Sequence, residues 1–411
     1  MYTVCVGVTK DMLSKKPILL RGAFVAFTLA VMSLVIARCI AITDSNATIY
    51  KADVGRVLIE NPGGMPALCR AANGDLLFAY STVWEAVPPG GEIKLMRSTD
   101  EGKTWSRPKI IVSPESGNSG TWAGLELMKD GSLILGYSKV RTQRRDNVPA
   151  GKTNPFKIWD MTTTIGVPFV IRSADNGHTW GEPVRLAPEL DRCYAMGRPL
   201  IAANGDVLLP LIPILNVAGK VYPTSGFVRS TDGGKTFGRI EFIANDPNGY
   251  SEVTLGLAKN GNIIAILRDR DSGPRRLFWQ SVSDDNGRSW QQPFKTSIYG
   301  KMPDMLTLPS GRLLLIVGSL DCMDGSLAFA GPQGSSYAGL FYSDDNGKTW
   351  QKDLIIPSPE PINLVPFDAP VFTLLKNGDI LVINCAADRR YQNDPLSGWT
   401  KGFHYVLNII H

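Results

Sequence analysis

An eight-residue pattern, S-x-D-x-G-x-[ST]-[WF], occurs five times in this chain and strongly limits how the chain can fold. Its Ser hydroxyl and Asp carboxylate can accept hydrogen bonds from nearby backbone N–H groups, its Gly permits a positive φ, and its aromatic ring can pack into a core. The pattern therefore predicts a tight turn, which we call the clasp. The five clasps are Ser98–Trp105, Ser173–Trp180, Ser230–Phe237, Ser283–Trp290 and Ser343–Trp350.

An acidic loop of this kind could instead bind calcium. An EF-hand loop needs an acidic residue five positions before its Gly and a Glu six positions after it. In the last clasp these places are held by Tyr342 and Asp353. The cysteines beyond residue 45 also lack C-x-x-C spacing. We therefore predict no metal site and no cofactor.

A second signal, a turn dipeptide followed by an apolar run, occurs six times. Such a dipeptide between two apolar runs predicts a β-hairpin, whose strands we call A and B. In the first five repeats a clasp then joins two further strands, C and D. We number the repeats as units one to six by their A-to-B turns, which are Asn73-Gly74, Asp130-Gly131, Asn204-Gly205, Asn260-Gly261, Ser310-Gly311 and Asn377-Gly378.

Four antiparallel strands repeated six times predict an all-β fold, a six-bladed β-propeller. Unit six ends before any clasp, so we expect the run Tyr50 to Glu60 to add a strand to that blade and close the ring. Both turns of each blade lie at one end of such a propeller. The starts of the A strands and the B-to-C connections lie at the other end, which we call the mouth. The longest connection, Lys139 to Ile165, is expected to overhang the mouth.

The N-terminus resembles a targeting segment rather than part of the propeller. Basic residues precede an apolar stretch from Ile18 to Ile42, which is typical of a signal peptide or an uncleaved signal-anchor. We expect a leader over residues 1–45, a propeller over 46–411, and export to a secreted or membrane-anchored location through residues 18–42. The net charge of +5 is spread along the chain, which argues against nucleic-acid binding.

Unit four places charge at both of its strand ends near the mouth. Glu252 lies where strand A begins, and Arg268 lies where strand B ends. The Glu could assist as a catalytic base, and the Arg could orient a substrate group. The alternative is a structural salt bridge at the rim, to which we give equal weight.

Other side chains at the mouth complete the candidate site. Glu85 is a candidate acid/base, and Arg198, beside Pro199, is a candidate for substrate binding. Two aromatic and two acidic residues in the same region could contact a sugar. They are Trp122, Tyr250, Asp304 and Asp368.

The clasps are similar to the Asp-boxes of the sialidase superfamily, and from about residue 50 the chain resembles that superfamily. Unit four is similar to the segment that gives sialidases a Glu and the second of three carboxylate-binding arginines, here Glu252 and Arg268. The resemblance implies a six-bladed propeller in which a Tyr nucleophile, an Asp acid/base and three arginines act on sialic acid.

Several positions depart from the pattern that the resemblance implies. Met65 stands at the place of the first arginine, no arginine occurs over Gly318 to Asp321, where the third is expected, and Ala369 stands at the place of the Tyr. We therefore expect an exported glycoside hydrolase that acts on a glycan without the conventional arginine triad. The alternative is a non-catalytic propeller that binds glycans or proteins.

Overall fold

The structure is a computed structural model that describes most of the chain beyond residue 48. The described ranges are 49–52, 56–82, 91–113, 119–142, 164–246, 249–269, 277–318, 337–357, 364–388 and 399–410. Ile49–His411 forms one compact unit. The predicted leader, Glu85 and most of the connection from Lys139 to Ile165 lie outside the described residues.

The described residues form twenty-six β-strands and no helix, so the prediction of an all-β fold is confirmed. Apolar runs after tight turns produce these strands. In the first half of the chain they are β1 (Ile49–Ala52), β2 (Arg56–Arg70), β3 (Leu76–Ser81), β4 (Ile93–Ser98), β5 (Lys109–Val112), β6 (Ser119–Leu127), β7 (Leu133–Thr142), β8 (Thr164–Ser173), β9 (Val184–Arg185), β10 (Cys193–Ala195), β11 (Leu200–Ile201), β12 (Val207–Val217) and β13 (Lys220–Pro223). In the second half they are β14 (Ser225–Ser230), β15 (Ile240–Ala244), β16 (Tyr250–Leu257), β17 (Ile263–Asp269), β18 (Leu277–Ser283), β19 (Phe294–Tyr299), β20 (Lys301–Thr307), β21 (Leu313–Gly318), β22 (Tyr337–Ser343), β23 (Gln351–Pro357), β24 (Leu364–Leu374), β25 (Ile380–Asp388) and β26 (Trp399–Ile410).

These strands form five antiparallel sheets of a β-propeller. Units two, four and five are four-stranded sheets in chain order, β6 to β9, β16 to β19 and β20 to β23. Unit three is a six-stranded sheet because its strand A is split into β10 and β11, and β13 pairs with the end of β12. The eight-stranded sheet runs β24, β25, β26, β2, β3, β4, β5, with β1 also pairing with β26.

Strand β2 joins the two ends of the chain within the eight-stranded sheet. Its first half pairs with β26, with Arg56 opposite His404, and its second half pairs with β3, with Arg70 opposite Leu76. The run Tyr50 to Glu60 is therefore divided between β1 and β2, and both strands lie against β26.

The clasps have the bonding that their sequence predicts. In the clasp of unit two, the Ser173 hydroxyl donates to Asp175 and accepts from the N–H of Gly177, each at 2.8 Å. The N–H and hydroxyl of Thr179 donate to the two oxygens of Asp175, at 2.9 and 2.6 Å. The same Ser, Asp and Thr or Ser contacts recur in the other four clasps.

The clasps also hold neighbouring units together. The side chain of Asn176 accepts the N–H of Asn73, so the clasp of unit two bonds to the turn of unit one. Asn286 and Asn346 bond in the same way to the turns of units three and four. In the first clasp, Glu101 accepts the N–H of Lys376, beside the turn of unit six.

The apolar core lies between the units rather than at the centre of one globule. One buried cluster joins unit one to unit two around Leu77 and Tyr137, and others join two to three, three to four and four to five. A further cluster around Phe78 and Ile383 packs unit one against unit six. Strand B of units one, four and five, which is β3, β17 and β21, is therefore buried on both faces along its whole length.

The predicted ends of the long connection need correction. Strand β7 continues to Thr142 and β8 begins at Thr164, so both ends of the segment Lys139 to Ile165 are strand. The last strand, β26, runs from Trp399 to Ile410. In the part of the chain described here, no helix is long and apolar enough to cross a membrane.

Candidate functional site

The starts of the A strands from all six units meet around one central pocket. Its volume is about 50 Å³, measured as the space open to the centre of a water-sized sphere. The lining is apolar except for Arg198, Glu252 and Asp304. The lining residues are Met65, Pro66, Ala67, Leu68, Ala123, Gly124, Leu125, Met196, Gly197, Arg198, Glu252, Val253, Met302, Pro303, Asp304, Ala369, Pro370 and Val371.

Unit three contributes to the pocket through a break in its A strand. Gly197 lies between β10 and β11 with φ of 87°. A Cβ at this glycine would lie 2.7 Å from the carbonyl oxygen of Val253, so no other residue fits there without a shift. The break explains why both Met196 and Arg198 line the pocket.

Glu252 and Arg268 form a buried ion pair, as the positions of these residues at the two strand ends suggest. One carboxylate oxygen of Glu252 accepts a hydrogen bond from Nη1 of Arg268. The other oxygen accepts the backbone N–H of Met302 at 2.7 Å. The two residues are 2% and 6% exposed. The pair therefore links unit four to unit five, and both oxygens of Glu252 already have a partner.

Arg198 belongs to a second charged network. Its Nη2 donates to Asp304 at 2.9 Å and to the carbonyl oxygen of Phe372 at 2.7 Å. Its Nε donates to the other oxygen of Asp304 at 3.3 Å, and its Nη1 donates to Glu126 at 3.4 Å. Arg198 thus connects unit three to units two, five and six. In this arrangement it bonds to Asp304 rather than joining Arg268 in a shared anion site.

Glu126 is a member of this network that the sequence analysis missed. Burial raises the pKa of its carboxyl group, although Arg198 opposes the shift. Its side chain keeps 23% of its surface exposed. Burial alone would lower the pKa of Arg198, but Asp304 and Glu126 raise it, so the guanidinium stays charged. The signal available in the sequence was an acid inside the apolar run Leu125-Glu126-Leu127-Met128.

Tyr250, a candidate for contact with a sugar, lies in the core between two units. Tyr250 is buried in the cluster between units three and four and packs edge-on against Trp279, at 5.9 Å between ring centroids. Burial raises its pKa to about 12. Tyr250 is not among the residues that line the pocket, and its role as a sugar contact stays a prediction.

Trp122 and Asp368 lie in strands β6 and β24, but their side chains lie outside the described residues, as does the whole of Glu85. Their assigned roles stay predictions. In unit two the residue that lines the pocket is the next one along, Ala123.

Two methionines line the pocket in a rarely occupied backbone conformation. Met65 and Met302 have φ of 45° and 48°, and each precedes a proline. A positive φ is uncommon for a residue with a Cβ and costs free energy. Together with Met196 they place three thioether side chains around the pocket, from units one, three and five.

The sequence matches known repeat families. Residues 152–324 match the BNR repeat-like domain, and residues 341–352 match the BNR/Asp-box repeat. The chain therefore carries BNR repeats over these residues. A sialidase from Bacteroides fragilis (strain YCH46) is 24% identical over 313 residues, which is 70% of this chain and 54% of that protein. The chain therefore spans about half the length of that curated relative.

Solved structures share this fold at low sequence identity. A protein of unknown function from Dyadobacter fermentans DSM 18053 superimposes with a TM-score of 0.69 at 18% identity, covering 88% of this chain and 99% of that one. The intramolecular trans-sialidase from Ruminococcus gnavus, in complex with oseltamivir carboxylate, gives a TM-score of 0.61 at 14% identity, covering 87% and 97%.

The pocket of this sialidase-like propeller has its own chemistry. At the places that the resemblance gives to the first arginine and the Tyr, Met65 and Ala369 line the pocket. Glu252 and Arg268, which stand at the places that the resemblance gives to the Glu and the second arginine, are bonded to each other. Among the described residues, no group of three or more His, Cys, Asp or Glu side chains could hold a metal ion.

Proposed function

We propose that this protein is a glycoside hydrolase that acts on a glycan through a rebuilt set of carboxylates at the mouth of the propeller. The observation that carries the proposal is the buried Glu252–Arg268 pair beside the central pocket of a sialidase-type fold. Glu252 would serve as the catalytic carboxylate, Arg268 would orient the substrate, and Glu85 would be the acid/base.

The hydrolase proposal is tested with the purified protein on a broad panel of exo- and endo-glycoside substrates. We expect release of a sugar from at least one substrate, and we expect Glu252→Gln to reduce turnover by at least a hundredfold, the usual contribution of a positioned acid or base. The exposed Glu182→Gln variant is the control. Unchanged turnover in Glu252→Gln, in a variant that remains folded by circular dichroism, would contradict the assignment.

A second function is favoured by the bonding of Glu252. Both of its oxygens are occupied, by Arg268 and by the N–H of Met302, so it has a structural role even without catalysis. The alternative is therefore a non-catalytic propeller that binds glycans or proteins at the same mouth. Glycan-array binding without turnover on any substrate would support this alternative, and hydrolysis lost in Glu252→Gln would exclude it.

We further propose that the eight-stranded sheet comprises two blades, units one and six, which share β2. The propeller would then have six blades closed by the N-terminal strand. Val57 lies opposite Phe403 in β26, so the double variant Val57→Cys, Phe403→Cys should form a disulfide on oxidation. The pair Val57→Cys, Ile409→Cys, which is out of register, is the control. Equal cross-linking in both would argue against this closure.

We also propose that the protein is exported from the cytoplasm. The basic and apolar pattern of residues 1–45 supports a secreted protein or one anchored through residues 18–42, with the propeller outside the cytoplasm. N-terminal sequencing of the mature protein and fractionation of cells tests this. Recovery of the intact chain in the cytosol would contradict it.

A further inference from the structure

The central pocket is lined by soft apolar groups. Met65 and Met196 are 3% and 7% exposed, and together with Tyr194, Ile212 and Cys385 they belong to one buried apolar cluster. Met302 packs against the same cluster. Thioether side chains are flexible and polarizable, so they adapt to an apolar group of irregular shape. This lining favours a methyl-bearing ligand group over a strongly hydrated one.

The two described arginines beside the pocket are each paired with a carboxylate, and the buried Nε of Arg268 has no hydrogen-bond partner among the described residues. Arg198 bonds to Asp304 and Glu126, and Arg268 bonds to Glu252. Two guanidinium groups are therefore set against three carboxylates. A ligand carboxylate entering the pocket would lose its hydration and would have to compete with these carboxylates for an arginine.

The carboxylate oxygens that a cationic ligand group could bind near the pocket already accept hydrogen bonds from the protein. The oxygens of Glu252 accept from Arg268 and from the N–H of Met302. Each oxygen of Asp304 accepts from Arg198, and one also accepts the N–H of Met305. Because these acceptors already have donors, charge complementarity favours an uncharged group.

The size of the pocket limits the group further. A volume of about 50 Å³ open to the centre of a water-sized sphere corresponds to roughly three to five water positions, at about 10 to 15 Å³ for each. This space suits a substituent such as a methyl or acetyl group. A whole pyranose ring would lie above it, toward the mouth.

We propose that the central pocket receives an uncharged, methyl-bearing substituent of a glycan, from a deoxy sugar or an acetylated sugar, and excludes a carboxylate. The inference rests on the proposed function in taking the ligand to be a glycan. It adds the class of sugar that the pocket selects.

Matched sugars test the inference by binding, independently of hydrolysis. The methyl glycosides of D-fucose, D-galactose and D-galacturonic acid differ only at C6, which is a methyl, a hydroxymethyl or a carboxylate group. Methyl glycosides of N-acetylglucosamine and glucosamine form a second pair. The full-length protein is labelled with ¹³C in its methionine methyl groups, and Met65→Leu, Met196→Leu and Met302→Leu assign the pocket signals.

We expect the methyl or acetyl member of at least one series to shift the signals of Met65, Met196 or Met302. We expect the carboxylate and ammonium members to bind at least tenfold more weakly. Equal or tighter binding of the carboxylate or ammonium member would overturn the proposal, and so would a lack of response in these signals to every sugar. If the protein binds sugars with this selectivity but hydrolyses none of them, the proposal of a hydrolase is rejected and the pocket proposal stands. If it hydrolyses only acidic glycosides, the pocket proposal is rejected and the hydrolase stands.

A variant that adds a positive charge to the pocket lining tests whether the pocket excludes a carboxylate. Met302→Arg would add a guanidinium to the lining that has no carboxylate of its own. We expect the ratio of galacturonide to fucoside binding to rise at least tenfold in this variant. If it fails to fold, the Met302→Leu and Met302→Gln variants still allow a comparison, since the polar side chain should weaken fucoside binding. Unchanged selectivity in every folded variant would contradict the proposal.

Discussion

At the scale of single residues, Arg198 and Glu252 show how charge is distributed beside the pocket. Each is bonded to partners from other units, Arg198 to Asp304 and Glu126 and Glu252 to the backbone of Met302. Their positions at the start of the A strands were predictable from the spacing to the next turn. Their partners were not, because contacts across the centre depend on how far the units approach one another.

Removing Arg198 should be strongly destabilising. In Arg198→Ala, Asp304 and Glu126 lose a largely buried cationic partner, and we expect the free energy of unfolding to fall by about 3 kcal/mol. Chemical denaturation measures this change. The control is Lys94→Ala, which breaks a more exposed pair with Glu92 at 3.1 Å and should cost less than about 1 kcal/mol. Similar losses in both variants would contradict a special role for Arg198.

At the scale of the structural element, the clasp was predicted almost completely from its sequence. Hydrogen bonds from the Thr104 hydroxyl and N–H lower the pKa of Asp100 to about 2, so the carboxylate remains a charged acceptor near neutral pH. The sequence did not predict that the fourth clasp residue bonds to a neighbouring unit. That contact depends on the rotation between sheets, which no local pattern encodes.

The third clasp lacks the side chain that forms this contact, and it offers a stabilising substitution. Gly233 has φ of 76°, and nothing lies within 4 Å of a Cβ built on it. The asparagines at the same place in three other clasps have φ of 57° to 63°. Gly233→Asn should therefore raise the free energy of unfolding by about 0.5 to 1 kcal/mol, through lower unfolded-chain entropy and a new hydrogen bond.

Thermal and chemical denaturation test this prediction. The matched control is Gly234→Asn, one residue further along, where a Cβ would lie 3.3 Å from both Arg172 and Ile134. This variant should be destabilised. Loss of stability in Gly233→Asn as well would show that the clasp of unit three differs from the others.

At the scale of the whole molecule, the sequence predicted the propeller from the spacing of its turns and clasps. It did not predict the long shared strand β2 or the split strand A of unit three, since neither a strand's length nor the break at Gly197 follows from a turn signal. The central pocket could be placed at the mouth, but its small size and its methionine lining follow from the close approach of six strands.

Glu101 of the first clasp should make the stability of the protein sensitive to acid. Hydrogen bonds from Arg70, and to a smaller extent from Lys376, lower the pKa of Glu101 to about 2. A carboxyl group with a lowered folded-state pKa stabilises the protein above its unfolded value, near 4.5, and loses this effect as the pH falls toward 2. Glu101→Gln should therefore destabilise at pH 7 and have little effect near pH 2.

Urea denaturation of both proteins across this pH range measures the difference. The exposed Glu182→Gln variant serves as the control and should follow the wild-type pH profile. A difference between wild type and Glu101→Gln that stays constant from pH 7 to pH 2 would show that ionisation of Glu101 does not contribute.

The direction of the contacts between clasps and turns has a consequence for how the protein is made. Asn176, Asn286 and Asn346 each bond to the turn of the unit synthesised before their own. The backbone N–H of such a turn can therefore form this hydrogen bond only after the next unit has been synthesised. Glu101 is the exception, since it bonds to Lys376, which is synthesised 275 residues later. The first clasp can therefore bond to unit six only after the intervening residues up to Lys376 have been synthesised.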